Sequence, residues 1–208
     1  MSDPLSLISA AFDSRAERYD DSAMHRAVAT ATAEFADLTD VHVILDVATG
    51  TGLVLRAIAP RAVDADLIGV DISAGMLEVA RGHLPGATWL RASAADIPVE
   101  SASVDLLTCV TALHIIPDVP TAAAEWRRIL RPGGRLVTAT FQKTDTSGHG
   151  APEQPSAQRP YARDHAPYSG AANLSATFDR YGFTLRRHRE WSDAIDELLI
   201  AELVVPTP

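Results

Sequence analysis

Three aspartates, a pair of glycines, one tyrosine and three of the histidines are the residues of this chain whose types and spacing could do chemistry. Gly50 and Gly52 bracket Thr51 directly after the apolar run Val43-Ile-Leu-Asp-Val47 and directly before the helical pattern that starts at Leu53. Glycines at such a junction let the backbone turn sharply and let a ligand lie against it, while the helix start offers unpaired N–H groups. Together they describe a nucleotide-type site. Asp71 follows Gly52 by 19 residues and ends the next apolar run, Leu67-Ile-Gly-Val-Asp71, where a carboxylate can accept hydrogen bonds from ribose hydroxyls. Asp46 precedes the glycines, and Asp96 follows a third run of this kind. His114 stands just past a fourth, where it could act as a general base or simply wall the pocket. Tyr19 lies in Phe12-Asp-Ser-Arg-Ala-Glu-Arg-Tyr-Asp20, a mixture of aromatics and charges that reads as a surface cap on the core or as a lid over a ligand. His149 and His165 fall in a long segment where a substrate lid is expected.

The elements that would position these residues alternate along the chain. Residues 5–40 read as helical, with Met24, Ala27, Val28, Ala31, Phe35 and Leu38 on one apolar face. Val43–Val47 reads as a buried parallel strand, followed by a helix from Leu53 to Ala59 that Pro60 helps to stop. Leu67–Asp71 is the second strand, and Ser73 can cap a helix whose Met76, Leu77, Val79 and Ala80 face inward. Ala87–Arg91 is the third strand, and Val104–Thr111, apolar on both faces, is the fourth. A helix opened by Asp118 and Pro120 buries Ala123, Trp126, Ile129 and Leu130, and Pro132-Gly133-Gly134 turns the chain into a fifth strand, Arg135 to Phe141. Gln142 to Gly170 shows no apolar period. A last helix carries Leu174, Phe178 and Tyr181 and ends at Gly182. Phe183–Glu190 and Leu198–Val205 are two further strands whose short connection requires antiparallel pairing. The basic run Arg186-Arg-His-Arg189 is expected to be a solvated sheet edge rather than an anion site.

A chain of 208 residues, 47% hydrophobic, fits one domain with a sizeable core. Its net charge of −9 and pI near 5.1 disfavour nucleic acid or an anionic membrane as the main partner, because both demand a positive surface. The single cysteine, Cys109, cannot form an internal disulfide and reads as a small core residue rather than a nucleophile. No apolar stretch approaches the roughly 20 residues of a membrane span, and the acidic N-terminus lacks the basic head of a signal peptide. These features predict a soluble, cytoplasmic protein, monomer or homodimer, acting on a small molecule and holding no metal.

Two ligands fit the glycine junction, a dinucleotide such as NAD and S-adenosylmethionine. A dinucleotide fingerprint places a third glycine three residues after the second, and here that position is Leu55. Asp46 and Asp96 have no place in that fingerprint, nor does a sheet that ends in an antiparallel pair. With these residues in view, the chain resembles the class I S-adenosylmethionine-dependent methyltransferases, in particular the small-molecule group called type 11. Four segments over residues 43–141 carry the resemblance, in the family's order: Asp46-Val-Ala-Thr-Gly-Thr-Gly52, Gly69-Val-Asp-Ile-Ser-Ala-Gly-Met-Leu77, Ala95-Asp-Ile-Pro98 and Arg128-Ile-Leu-Arg-Pro-Gly-Gly134.

The resemblance implies an α/β, Rossmann-like seven-stranded sheet of order 3-2-1-4-5-7-6, strand 7 antiparallel, with helices on both faces. It implies an N-terminal helical lid at 1–40 and a cofactor-binding domain at 41–208. It also implies that Ala48, Gly50 and Gly52 lie along the cofactor's methionine and ribose, and that Asp46 anchors the amino group. Asp71 would hold the ribose, Ile72 and Ile97 would flank adenine, Asp96 would accept from the adenine amino group, and Thr111 would lie near the methionine end. Ala48 departs from the pattern, since many members carry glycine there. The expected activity is in-line methyl transfer from S-adenosylmethionine to an O, N or C nucleophile of a natural-product or quinone-like small molecule, leaving S-adenosylhomocysteine, with His114 and Tyr19 as catalytic candidates. The alternative is an S-adenosylmethionine-binding protein that runs a non-methylating reaction or serves as a non-catalytic partner.

Overall fold

The computed structural model describes residues 3–143 and 161–207. One sheet of seven strands organises the chain: β1 (Val43–Val47), β2 (Asp66–Asp71), β3 (Thr88–Arg91), β4 (Val104–Val110), β5 (Leu130–Lys143), β6 (Thr184–Ser192) and β7 (Glu197–Val204). Their order is β3-β2-β1-β4-β5-β7-β6. The first five run parallel, and β7 pairs antiparallel with both β5 and β6. This is the order and the sense expected from the resemblance.

Alternation along the central strands divides the core in two. Leu45, Val47, Leu107, Cys109 and Leu136 belong to one buried cluster, together with Trp126 and Ile129 of α5 (Val119–Ile129) and Leu174 and Phe178 of α6 (Ala171–Asp179). Ile44, Leu106, Val137 and Ala139 belong to the other, with Val28 and Phe35 of α2 (Ala23–Phe35) and Val54, Leu55 and Ile58 of α3 (Leu53–Ile58). Because side chains alternate between the faces of a strand, two clusters of this composition require helices on both sides of the sheet. Cys109 is fully buried in the first, as a core residue should be. The parallel strands all end at the same edge, so the loops after β1, β2, β3 and β4 gather there.

The N-terminal region departs from the single helical stretch expected over 5–40. It folds as α1 (Pro4–Asp13), a 3-10 turn at Ala16–Asp21, and α2. Local polar side chains explain the break: Asp3 caps α1, and the hydroxyl of Ser22 accepts the His25 N–H at 3.3 Å, starting a new helix there. The buried face of α2 is also broader than the stripe read from spacing. Ala29, Thr32 and Ala33 are buried and Ala27 is exposed.

The basic run lies on the edge strand β6, as expected, but it is not merely solvated. Arg187 donates to the Phe35 carbonyl at 2.8 Å with its guanidinium 4.2 Å from the centre of the Phe35 ring, and Arg189 donates to the Ala31 carbonyl. The last carbonyls of a helix lack intrahelical partners and carry the negative end of its dipole, so Arg187 satisfies an orphan carbonyl and both arginines place positive charge at that end. Arg187 and Arg186 also reach Glu202 at 2.7 and 3.4 Å, and that carboxylate is wholly buried. The fifth strand likewise starts earlier than expected, at Leu130, with Pro132-Gly133-Gly134 inside it. Gly133 takes φ +77°, and backbone bonds from Gly133 to Val205 and from Val205 to Gly134 absorb the irregularity.

Candidate active site

The loop from β1 to α3 passes through the left-handed region three times, at Ala48 (φ +53°), Gly50 (φ +55°) and Gly52 (φ +78°). Glycine takes that conformation freely, whereas a Cβ costs roughly 1–2 kcal/mol, so Ala48 sits under strain there. Space matters as much as torsion at Gly52. A Cβ added there would meet the Trp89 ring at 2.7 Å, and one added at Gly69 in β2 would meet it at 2.3 Å. Trp89 therefore fills the room that the two absent side chains leave and fixes the loop against β2 and β3.

A buried carboxylate, Asp46, and a half-buried one, Asp71, flank this loop. Asp46 is 2% exposed and accepts hydrogen bonds from the hydroxyls of Thr49 and Thr108, both at 2.6 Å. Burial pushes its pKa up from 3.8 to about 7 against the pull of those hydroxyls, with the charge of Asp71 adding to the rise. Asp71 accepts the backbone N–H of Gly50 and of Ser73, each at 2.8 Å. Burial raises its pKa too, against those two bonds. Neither carboxylate forms an ion pair among the described residues. Two desolvated acids around a glycine loop form a receptor for a ligand that brings a cation and hydroxyls.

The N-terminal segment closes over this receptor. Asp13 accepts from the Ser73 hydroxyl at 2.6 Å and from the Gly75 N–H at 2.8 Å, at the first turn of α4 (Ala74–His83). The Ser9 hydroxyl donates to the Ile72 carbonyl at 3.2 Å. Further on, Tyr19 and Asp20 straddle the glycine loop. The Tyr19 ring lies 3.9 Å from where a Gly50 Cβ would be, and Asp20 accepts from the Thr51 hydroxyl at 2.5 Å and from Arg56 at 2.7 Å. Burial pushes the Tyr19 pKa up to about 12, opposed by Arg15 and by a hydrogen bond with the Thr111 side chain, so the phenol stays neutral at ordinary pH. Thr111 follows β4 with φ +54° and is held by a 2.8 Å bond from its N–H to the Ala139 carbonyl.

His114 and His165 stack face to face at the end of β4, with ring centroids 4.2 Å apart, and Phe141 lies edge-on to both. The Asp164 N–H donates to the His114 carbonyl at 2.8 Å, which holds the 161–168 segment against this end of the sheet. At the other end of the crevice, Asp96 is exposed and forms a bridge with Ser93. Ile97 is 1% exposed and belongs to the core, its N–H bonded to Glu125 at 2.8 Å, while Arg128 holds both Glu125 and the Ile97 carbonyl. A groove of about 430 Å³ opens beside them between α1 and the ends of β2 and β3, lined in part by Ser9, Asp13, Ile72 and Ser93.

The structure thus gathers Tyr19, Asp46, Ala48, Gly50, Gly52, Asp71 and Thr111 around the glycine loop at the ends of β1, β2 and β4. Ile72 and Asp96 stand at the rim of that group and Ile97 beneath it, and His149 lies outside the described residues. Sequence reasoning missed Asp13, Arg15, Thr49, Thr51, Thr108 and Tyr161. The two threonines on Asp46 had a signal, since a buried carboxylate needs donors and the nearest hydroxyls are three residues on and in the neighbouring strand.

A glycine loop and acidic strand tips on this sheet order define a Rossmann-like α/β protein. Residues 45–138 match the model of a methyltransferase domain. The demethylmenaquinone methyltransferase of Symbiobacterium thermophilum is 38% identical over 107 residues, 48% of this chain and 43% of that protein. The structure also superposes on a chain of the complex between the Haloferax volcanii Trm112 methyltransferase activator and its proposed methyltransferase, with TM-score 0.78, 21% identity and 96% of each chain covered. It superposes on the [4+2]-cyclase SpnF with TM-score 0.69 and 16% identity, over 88% of this chain and 82% of that one. The chain spans about half the length of the curated relatives it matches. Residues 45–138, a little under half of the chain, carry this likeness to methyltransferases, and the solved structures share its fold. Among the described residues, no helix is long and apolar enough to cross a membrane.

Proposed function

We propose that this chain is an S-adenosylmethionine-dependent methyltransferase that carries a methyl group in line to an O, N or C nucleophile of a small aromatic molecule, quinone-like or a natural product. The observation that carries the reading is Asp46. A carboxyl pushed up to about 7 by burial, with two hydroxyl donors and no cation among the described residues, suits the ammonium of a methionine moiety, whose charge would lower that pKa, release the proton to solvent and complete the ion pair. Asp71 would hold the ribose hydroxyls, the glycine loop would lie along the methionine and ribose, Ile72 and Ile97 would pack at adenine, and Asp96 would accept from its amino group. When bound, the cofactor supplies an electrophilic sulfonium methyl, so the chain's own task is chiefly orientation, worth roughly 7–11 kcal/mol in favourable cases.

Residues 1–40 act in this reading as a lid, latched by Asp13 and Asp20, that brings Tyr19 over Gly50 and excludes water. The phenol of Tyr19 orients the acceptor through its bond with Thr111, and His114, stacked on His165, takes the acceptor's proton where one must leave. The aromatic lining of Phe12, Tyr19, Phe141 and Tyr161 favours a planar acceptor, and the quinone-methylating relatives at 32% and 38% identity support that class. The net charge of −9 favours a small molecule over nucleic acid.

Thermal unfolding with S-adenosylmethionine, S-adenosylhomocysteine and NAD in parallel tests the cofactor. Ligand at 100 times its Kd should stabilise by about 2.7 kcal/mol, and only the two adenosyl-sulfur ligands should do so. A shift with NAD alone would overturn the reading. Fold does not separate methylation from a non-methylating or non-catalytic role, but formation of S-adenosylhomocysteine in step with loss of acceptor does.

A further inference from the structure

The 3-10 turn of the N-terminal segment carries a cation that the site as described does not use. The Arg15 guanidinium lies 3.9 Å from the centre of the Phe12 ring and 6.0 Å from that of Tyr19, and one of its terminal nitrogens donates to the Tyr161 hydroxyl at 3.2 Å. Its Nε is buried without an acceptor, and no carboxylate lies within ion-pairing distance among the described residues. A guanidinium has five donors in a planar fork that matches a carboxylate, and here only one donor is engaged.

The acids nearby are already committed. Asp13 bonds Ser73 and Gly75, Asp20 bonds Thr51 and Arg56, and Asp71 holds two backbone N–H groups. A second guanidinium, that of Arg163, stands 5.8 Å from the centre of the Tyr161 ring. Tyr161 in turn stacks on Phe12 with ring centroids 6.1 Å apart. Within 4 Å of where a Gly50 Cβ would lie stand Tyr19 and Met76, so the Tyr19 ring is what meets the loop at that point, with Arg15 on the ring at 6.0 Å.

We propose that Arg15, positioned by Tyr161, is a specificity determinant that binds a carboxylate carried by the acceptor, so that the substrate class is a small aromatic acid. The inference rests on the methyltransferase reading. The acceptor's ring lies in the Phe12–Tyr19–Tyr161 aromatic cluster, its carboxylate meets the free edge of the guanidinium, and its nucleophile is turned toward Thr111 and His114. The alternative source of the same chemistry is the carboxylate of the cofactor's own methionine, and binding measurements separate the two.

The probes are matched acid and amide pairs, benzoate with benzamide and 4-hydroxybenzoate with 4-hydroxybenzamide, titrated calorimetrically into protein saturated with S-adenosylhomocysteine. The wild-type chain should bind the acids about tenfold or more tightly than the amides, the range expected for a charge-assisted pair out of bulk water. Arg15→Gln should abolish that preference, Arg15→Lys should keep part of it, and Tyr161→Phe should reduce it. All three variants should hold S-adenosylhomocysteine within about twofold of wild type, which also verifies folding. Equal affinity for acids and amides in the wild-type complex overturns the inference and leaves the methyltransferase reading standing. Loss of S-adenosylhomocysteine binding in Arg15→Gln and Arg15→Lys alike assigns the guanidinium to the cofactor and overturns it as well. A wild-type chain that does not bind S-adenosylhomocysteine overturns the methyltransferase reading, and the inference with it.

Discussion

Replacing Asp46 with asparagine should make the free protein more stable at alkaline pH and less able to hold its cofactor. The folded carboxyl has a pKa of about 7, against 3.8 when exposed. The folded state therefore binds this proton more tightly than the unfolded state does. The wild-type chain is relieved of any penalty below pH 4, loses stability as the pH rises from 4 to 7, and is level above 7. At about 1.4 kcal/mol for each pH unit, the ionised group costs the folded state roughly 4 kcal/mol. Asparagine avoids that loss but gives up one hydroxyl bond with Thr49 or Thr108, worth about 1 kcal/mol. The variant should thus gain roughly 3 kcal/mol at pH 8, or about 6–12 °C in melting temperature for a chain of this size. The gain should shrink through pH 6 and vanish near pH 4–5. Calorimetric melts at four pH values between 5 and 8 measure it. S-adenosylhomocysteine should stabilise the wild-type chain far more than the variant, because the amide has no charge for an ammonium. A stability difference that stays the same at pH 5 and pH 8 would refute the assignment of a strained, uncompensated carboxyl.

Ala48→Gly should stabilise the chain by up to about 1 kcal/mol in a urea melt, since relief at φ +53° outweighs the extra freedom of glycine in the unfolded state. A loss of stability would show that the Ala48 methyl packs usefully. Gly69→Ala should cost about 1–3 kcal/mol through collision with Trp89 at 2.3 Å, and pairing it with Trp89→Leu should recover part of that cost. Full additivity of the two substitutions would argue against direct contact. Tyr19→Phe and His114→Ala should leave the Kd for S-adenosylhomocysteine nearly unchanged while turnover falls, by about 10²-fold or more where His114 moves a proton. Unchanged turnover in both would remove them from the catalytic centre.

The sheet was legible because its strands are short apolar runs punctuated by glycine, proline and acids, and because Leu45 and Ile44 can both be apolar only in a strand covered on two faces. The glycine loop was legible for the same local reason. What escaped notice depends on contacts between distant residues. Asp13 reaching Ser73, Asp20 reaching Thr51 and Arg187 reaching Phe35 each join segments at least 31 positions apart, and no periodicity announces a bond between two polar groups. The basic run shows the limit well. Its place on an edge strand followed from composition, whereas its pairing with Glu202 and with the end of α2 required knowing that α2 lies alongside. Asp96 and Ile97 were found by resemblance, since nothing local in Ala95-Asp-Ile-Pro98 marks an adenine site.

The bonds from Arg187 and Arg189 to the end of α2 join residues 152 and 158 positions apart. During synthesis at about 5–20 residues per second, α2 is complete roughly 8–30 s before its partners are made. The helix that leaves the ribosome among the first elements is therefore among the last to be finished, and α1 likewise waits for Ser73 and Gly75 before it can settle. A nascent chain halted short of β6 would hold its central parallel strands with α2 packed on α3 and β5, but the Phe35 ring and carbonyl would lack Arg187. Every incomplete copy would carry that unfinished helix end.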